Sequence, residues 1–326
     1  VMGPRSAEAE PVYADFVERD LAGRIDVRIA GTYWTRSESD DPADVVAGLR
    51  DWNTRLRSPH VSIAHCKMWA DGTLFSGGAL LLQPTCGPHP SSGQMTFSRT
   101  HIAAQIRAVQ EAGFDMHIHV DADGSARTVL DAYQEVQQQI GNANTRHAIA
   151  HNTLVAPEDI PRYREMGIIA NCTPLWATDY HGQYQQIYTD LLGASRVQER
   201  LFPYGDLVRS GAVVTYGADL PGVDVHEVAP LIQLQSAVTR KRPGFPDDLP
   251  LVPRQCVDLM SALRAYTING AYQLRSEHLV GSIEVGKRAD LVVLAADLFA
   301  IDHEHLHQVP VLLTMMDGRV TFRAEG

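Results

Sequence analysis

A chain of 326 residues, 44% hydrophobic and 21% charged, can bury a large core and reads as one large domain with an appendage. Its 39 acidic and 28 basic residues give a formal charge of -11 with no long run of either sign, so nucleic acid is not an expected partner. No stretch approaches the roughly 18 to 20 consecutive apolar residues of a membrane helix, and the opening VMGPRSAEAE lacks the basic start and apolar core of a secretory leader.

Taken in chain order, short β-branched runs alternate with segments of helical period, the pattern of βα units around a parallel sheet. Six strands are predicted, at 25–34, 60–69, 115–120, 146–152, 168–174 and 212–221. Helices are predicted after Asp40 (DPADVVAGLRDWNTRL), from Ser98 to Gly113, and over GSARTVLDAYQEVQQQIG and APEDIPRYREMG, the last three each closing on a glycine. Segments 173–200 and 241–253 read as loops beside the mouth of a site. Two helical stretches follow the sixth strand, HEVAPLIQLQSAVTR and QCVDLMSALRAYTINGAYQL. From Gly281 the texture changes to antiparallel strands with an Asp317-Gly318 hairpin turn. The expected division is 1–278 for the large unit and 279–326 for the β tail.

Cys66, Cys86, Cys172 and Cys256 lie far apart and form no CxxC pair. That spacing argues against a zinc ribbon or disulfide scaffold and suits a reducing, cytoplasmic setting. In parallel βα folds the chemistry sits at the carboxyl ends of the strands. The polar residues there are Lys67 and Asp71, then His119 with Asp121 and Asp123, then His151, and finally Asp219. Two imidazoles and a carboxylate from separate strands form an N/O donor set suited to zinc or a similar divalent ion, which points to metal-assisted hydrolysis.

Each of these residues also has a plain structural explanation. His117 and His119 share one strand face and could both be buried barrel-layer residues, as could His147 and His151. Asp219 could cap a turn. Lys67 could be solvated or paired with Asp71; its functional alternative is a carboxylated lysine bridging two metals. The cluster His303, His305, His307 reads as an exposed loop, and Arg240 as a helix-terminal cation meeting the dipole.

Five blocks, in order, carry a family resemblance: CKMWADGTLFSGGALL, FDMHIHVDADGSARTVLDAY, RHAIAHNTLVAPEDIPRYREMGIIANCTP, GAVVTYGADLP and SALRAYTINGAYQLRSEHLVGSIEVGKRADLVVL. The chain resembles the amidohydrolase superfamily, in particular the branch of large bacterial metal-dependent hydrolases similar to N-substituted formamide deformylase. The resemblance implies a (β/α)8 barrel with part of a small β-sandwich after it. It makes Lys67 the strand-four lysine, His119 the strand-five ligand, His151 the strand-six ligand and Asp219 the strand-eight aspartate, which shuttles protons to the leaving nitrogen.

The family's first-strand His-x-His has no counterpart before Lys67, so the visible strands correspond to three through eight. Either a preceding segment or a partner copy completes the barrel, or the chain is a naturally short form. Ala150, Ala122 and Thr173 also depart from the family's usual residues, which bears on substrate class rather than fold. The implied function is hydrolysis of a C–N bond in an amide, formamide or cyclic amide by a metal-activated water, with one or two divalent ions, zinc foremost, and a small-molecule substrate. Asp123 is expected at most to orient the ligands from behind. The alternatives are a deaminase or esterase of the same superfamily, or an inactive barrel remnant serving in assembly.

Overall fold

The computed structural model describes residues 6–325 apart from Ala143; residues 1–5, half of the opening segment that is read for a secretory leader, lie outside the described residues. Each of the six predicted strands forms, the third over its full predicted span and the others shortened: β1 Ile29–Trp34, β2 Val61–Trp69, β3 Asp115–Val120, β4 Ala148–His151, β5 Ile169–Cys172 and β6 Val214–Tyr216. They make one parallel sheet in sequence order, with β1 and β6 as its edges. The sheet is therefore open, not a closed barrel.

Helices separate the strands: α1 Ser6–Leu21, α2 Pro42–Arg55, α3 Arg99–Glu111, α4 Asp123–Ile140, α5 Ile160–Met166, α6 Tyr184–Leu192, α7 Ala194–Arg200, α8 Tyr204–Ser210, α9 Pro230–Thr239, α10 Leu259–Tyr266 and α11 Ile268–Gln273. Local chemistry sets their ends. Side chains of Asp41, Ser98 and Asp258 accept the backbone N–H groups of Ala43, His101 and Ser261, satisfying donors that a first turn leaves unpaired. Gly167 ends α5 at φ 69°, a left-handed conformation that glycine adopts without a Cβ penalty.

The two faces of the strands differ. Cys66, Met68, Met116 and Ile118 are wholly buried in the main apolar core, which also takes in helical residues such as Ile102, Val129 and Leu130. On the alternate positions of β2 and β3 lie His65, Lys67, His117 and His119, so the other face is polar. That polar row continues sideways: the Asn171 amide donates to Thr215 Oγ1 at 2.9 Å, and Thr215 donates to Gln273 Oε1 at 2.6 Å.

Beyond the parallel sheet, β7 Leu291–Leu294, β8 Val311–Met316 and β9 Arg319–Arg323 form a separate antiparallel sheet, with the expected hairpin at Asp317-Gly318. The tail is not a loose appendage. Leu298, Leu306 and Val309 bury with Leu259 of α10. The segment His303–Gln308 is a short helical turn in which His307 Nδ1 lies 2.7 Å from Gln235 Oε1 of α9, in place of the exposed histidine loop expected from the sequence.

The hairpin is also tied to the first helix through one imidazole. His60 Nδ1 lies 2.6 Å from Asp20 Oδ1, and its Nε2 lies 2.5 Å from Asp317 Oδ2. Burial lowers the His60 pKa, but the bonds to Asp317 and Asp20 outweigh it and the net value is raised. A raised folded-state pKa means that this stabilisation is complete below the unfolded imidazole value of about 6.5 and is lost as pH rises through the folded-state value. In urea unfolding, the stability gap between wild type and His60→Gln will be larger at pH 6 than at pH 9; an equal gap at both would show that the bridge carries no proton-linked stability.

Candidate metal centre

At the carboxyl ends of the parallel strands a cavity of about 150 Å³ is lined by Lys67, His119, Asp121, His151 and Asp219, together with Trp69, Phe75, Trp176, Tyr184 and Tyr188. All four residues singled out as ligands, Lys67, His119, His151 and Asp219, thus reach one space. Strand register is what gathers them, since Trp69 pairs with His119 across β2 and β3, and Val120 with His151 across β3 and β4.

The two imidazoles lie with ring centroids 4.5 Å apart. His119 Nε2 donates to the carbonyl of Gly72 at 3.2 Å. A carbonyl can only accept, so Nε2 carries the proton and Nδ1 keeps a free lone pair. That Nδ1 is buried without a hydrogen-bond partner, and so is Nδ1 of His151. Burial pushes His119 down to about 3, with the Lys67 charge adding to the effect; burial, then the His119 charge, holds His151 well below its ordinary value. Neutral imidazole is the ligating form.

Lys67 is only 2% exposed, and burial brings its pKa down to about 7, opposed by the charge of Asp219. Contrary to the solvated or Asp71-paired alternative, its Nζ lies 3.3 Å from His117 Nδ1. His117 itself follows the barrel-layer alternative: it lines a second cavity of about 120 Å³ on the far side of Lys67, with His65 and Gln273. Burial, then the Lys67 charge, holds His117 well below its usual value.

Backbone conformation marks the same places. His151 (φ 73°) and Asp219 (φ 59°) both occupy the left-handed region, which non-glycine residues adopt only when their surroundings over-determine it. At His151 those surroundings are visible. The hydroxyl of Tyr204 donates to the His151 carbonyl at 3.1 Å and accepts the N–H of Thr173 at 3.3 Å. After Asp219 the chain turns so tightly that a Cβ on Gly222 would stand 2.8 Å from the Trp176 ring.

Several sequence expectations change. Asp123 does not line the cavity; it pairs with Arg200 at 2.6 Å and accepts the N–H of Leu82 at 2.9 Å, bracing loops. The supporting role falls instead to Asp71, which lies 3.5 Å from His119 Nε2. Arg240 does stand at the carboxyl end of α9, as expected, but fully buried, with its guanidinium donating to the carbonyls of Leu251 and Phe202. Segment 173–200 is largely helical, and α6 supplies Tyr184 and Tyr188 to the cavity. Sequence reasoning missed these tyrosines and Trp176; the only local signal was an aromatic residue soon after a strand end.

The donor set is partial. Among the described residues no group of three or more His, Cys, Asp or Glu side chains is arranged to hold a metal ion. Two orphaned imidazole nitrogens, with Lys67 and Asp219 on the same cavity, still fit a divalent ion as the protein's share of its coordination.

Fold and site together define an α/β protein with a histidine-containing pocket at the carboxyl ends of a parallel sheet. The chain matches the amidohydrolase family, Amidohydro_3, over residues 13–322 and belongs to it. It is 28% identical to the amidohydrolase-family protein YtcJ of Bacillus subtilis over 82% of this chain and 49% of that one. To N-substituted formamide deformylase of Arthrobacter pascens it is 27% identical, over 79% of this chain and 48% of that enzyme. The chain thus spans about half the length of these curated relatives. An uncharacterized metal-dependent hydrolase of Pyrococcus horikoshii shares the fold, with a TM-score of 0.73 at 20% identity over 91% of this chain and 56% of that one.

Removing the Tyr204 hydroxyl while keeping its ring leaves the buried His151 carbonyl without this donor. Tyr204→Phe is expected to cost about 1–3 kcal/mol in denaturant unfolding; a neutral result would mean that other contacts alone hold the His151 turn.

Proposed function

We propose that this chain carries the metal-binding part of a hydrolase that cleaves a C–N bond of an amide, formamide or cyclic amide. The observation that supports this most is the pair of orphaned imidazole nitrogens of His119 and His151, on rings whose centroids lie 4.5 Å apart, in one cavity with Lys67 and Asp219. His119 and His151 would hold a divalent ion, zinc foremost, with Lys67, in carboxylated form, and Asp219 as further ligands to one or two ions. Such an ion supplies Lewis acidity to a carbonyl and lowers the pKa of a water toward about 7.

Asp219 then takes a proton from the attacking water and returns it to the departing nitrogen, serving as base and acid in turn. The Gly72 carbonyl and Asp71 keep the His119 ring in its tautomer, and Tyr204 keeps His151 in its turn. In the same reading the open sheet is strands three to eight of a (β/α)8 barrel within 1–278, and 279–326 is part of a small β-sandwich.

One observation favours a second reading, an inactive remnant: the described residues hold no complete cage of three or more His, Cys, Asp or Glu. Elemental analysis separates the two. Purified wild type is expected to hold at least one zinc-like ion per chain, lost in the His119→Ala, His151→Ala double variant. Asp219→Asn, assayed for formate, acid and ammonia release on formamides and amides, is expected to lose about 10²–10⁴-fold in rate. A wild type that binds no metal after incubation with zinc would sink the hydrolase reading for this chain and leave the remnant.

A further inference from the structure

The proposed chemistry uses one side of the cavity. Lys67, His119, His151 and Asp219 form a polar floor, whereas Trp69, Phe75, Trp176, Tyr184 and Tyr188 supply most of the rest of the lining. These five aromatic residues come from three separate segments: the end of β2 and the loop after it, the turn after β5, and α6. Wall and floor touch. The Trp69 ring stacks on His119 with centroids 4.8 Å apart, and Trp176 stacks on His151 at 5.5 Å. At the rim, Phe75 packs on Tyr184 at 5.0 Å and on Tyr188 at 4.8 Å, yet stays 44% exposed, a large apolar surface left facing the opening.

We propose that this cavity selects a neutral substrate carrying a single aryl group, with the ring against Trp69, Phe75, Trp176, Tyr184 and Tyr188 and the scissile amide over the polar floor. The proposal deepens the hydrolase reading and rests on it for the reaction, though not for binding. Three arguments carry it. Aromatic pairs attract beyond the area they bury, through offset-stacked and edge-to-face contacts, so an aromatic-lined pocket favours an aryl group over a saturated ring of equal size.

The cavity of about 150 Å³ has the size that accommodates one benzene ring. Charge completes the argument. Apart from Lys67 on the floor, the described lining residues include no lysine or arginine to meet a carboxylate carried on the ring. An aromatic cage can also take an ammonium ion through cation–π attraction. Here, however, a divalent ion held on the floor would repel an ammonium ion.

The test is binding without turnover. Isothermal titration of the purified chain would compare benzamide, cyclohexanecarboxamide, 4-carbamoylbenzoate and tetramethylammonium. The two neutral amides match in heavy-atom count and differ in whether the ring is aromatic. Benzamide is expected to bind at least about fivefold tighter than cyclohexanecarboxamide, as one or two added aromatic pairs imply, and tighter still than the charged probes.

Phe75→Leu and Tyr184→Leu, which keep apolar bulk at the rim, are expected to bring the ratio of the two neutral amides toward one. Equal affinity for those amides in wild type, tighter binding of tetramethylammonium or the carboxylate, or no binding of benzamide would each overturn the proposal. A chain that prefers benzamide but holds no metal would keep this proposal and remove the hydrolase reading, so the two failures are distinguishable.

Discussion

Two buried carboxylates brace the strand ends on which the site is built. Asp71, with no exposed surface, accepts the backbone N–H groups of Asp121 and Ala122 at 3.1 to 3.2 Å. Asp121 in turn accepts the N–H of Leu74 at 2.5 Å. The loop after β2 is thereby cross-linked to the loop after β3, with His119 between them. Burial and the charge of Asp121 push the Asp71 carboxyl well above its usual value, and burial raises that of Asp121. Buried acids of this kind are tolerable only because backbone donors satisfy them. The Gly72 carbonyl that sets the His119 tautomer sits next to Asp71 in the same braced loop.

From that brace the site's division of labour follows. Parallel strands deliver side chains of one face to a common end, so the row of polar residues on β2 and β3 meets His151 from β4 without any long excursion of the chain. Lys67 stands between two cavities, the upper one shared with His119 and His151, the lower one with His65 and His117. It therefore separates the histidines facing the aromatic cavity from those that merely fill the polar layer. Part of the aromatic wall lies outside this frame, Trp176 in the turn after β5 and Tyr184 and Tyr188 in α6, whereas Trp69 closes β2 itself.

The tail and the first helix bear on the site from a distance. Asp317 of the last hairpin meets Arg28, Arg288 and His60. His60 stands just before β2, the strand that carries Lys67 and Trp69. The last hairpin is thus fastened to the amino end of the strand whose carboxyl end reaches the cavity.

Much of this was legible in the residues themselves. The six strands, the glycine-terminated helices, the Asp-Gly hairpin and the four polar residues at strand ends are encoded locally, in period-two alternation, caps and turn residues acting over a few positions. What tertiary structure alone decided depends on contacts between segments far apart in sequence. Lys67 turned to His117 rather than Asp71, and Asp71 rather than Asp123 took the place beside His119. Arg240 was drawn into the core by carbonyls 11 and 38 residues away, and α6 supplied tyrosines from a stretch without strand or motif. Burial depth and strand register settle such partnerships, and neither is a property of any short stretch of chain.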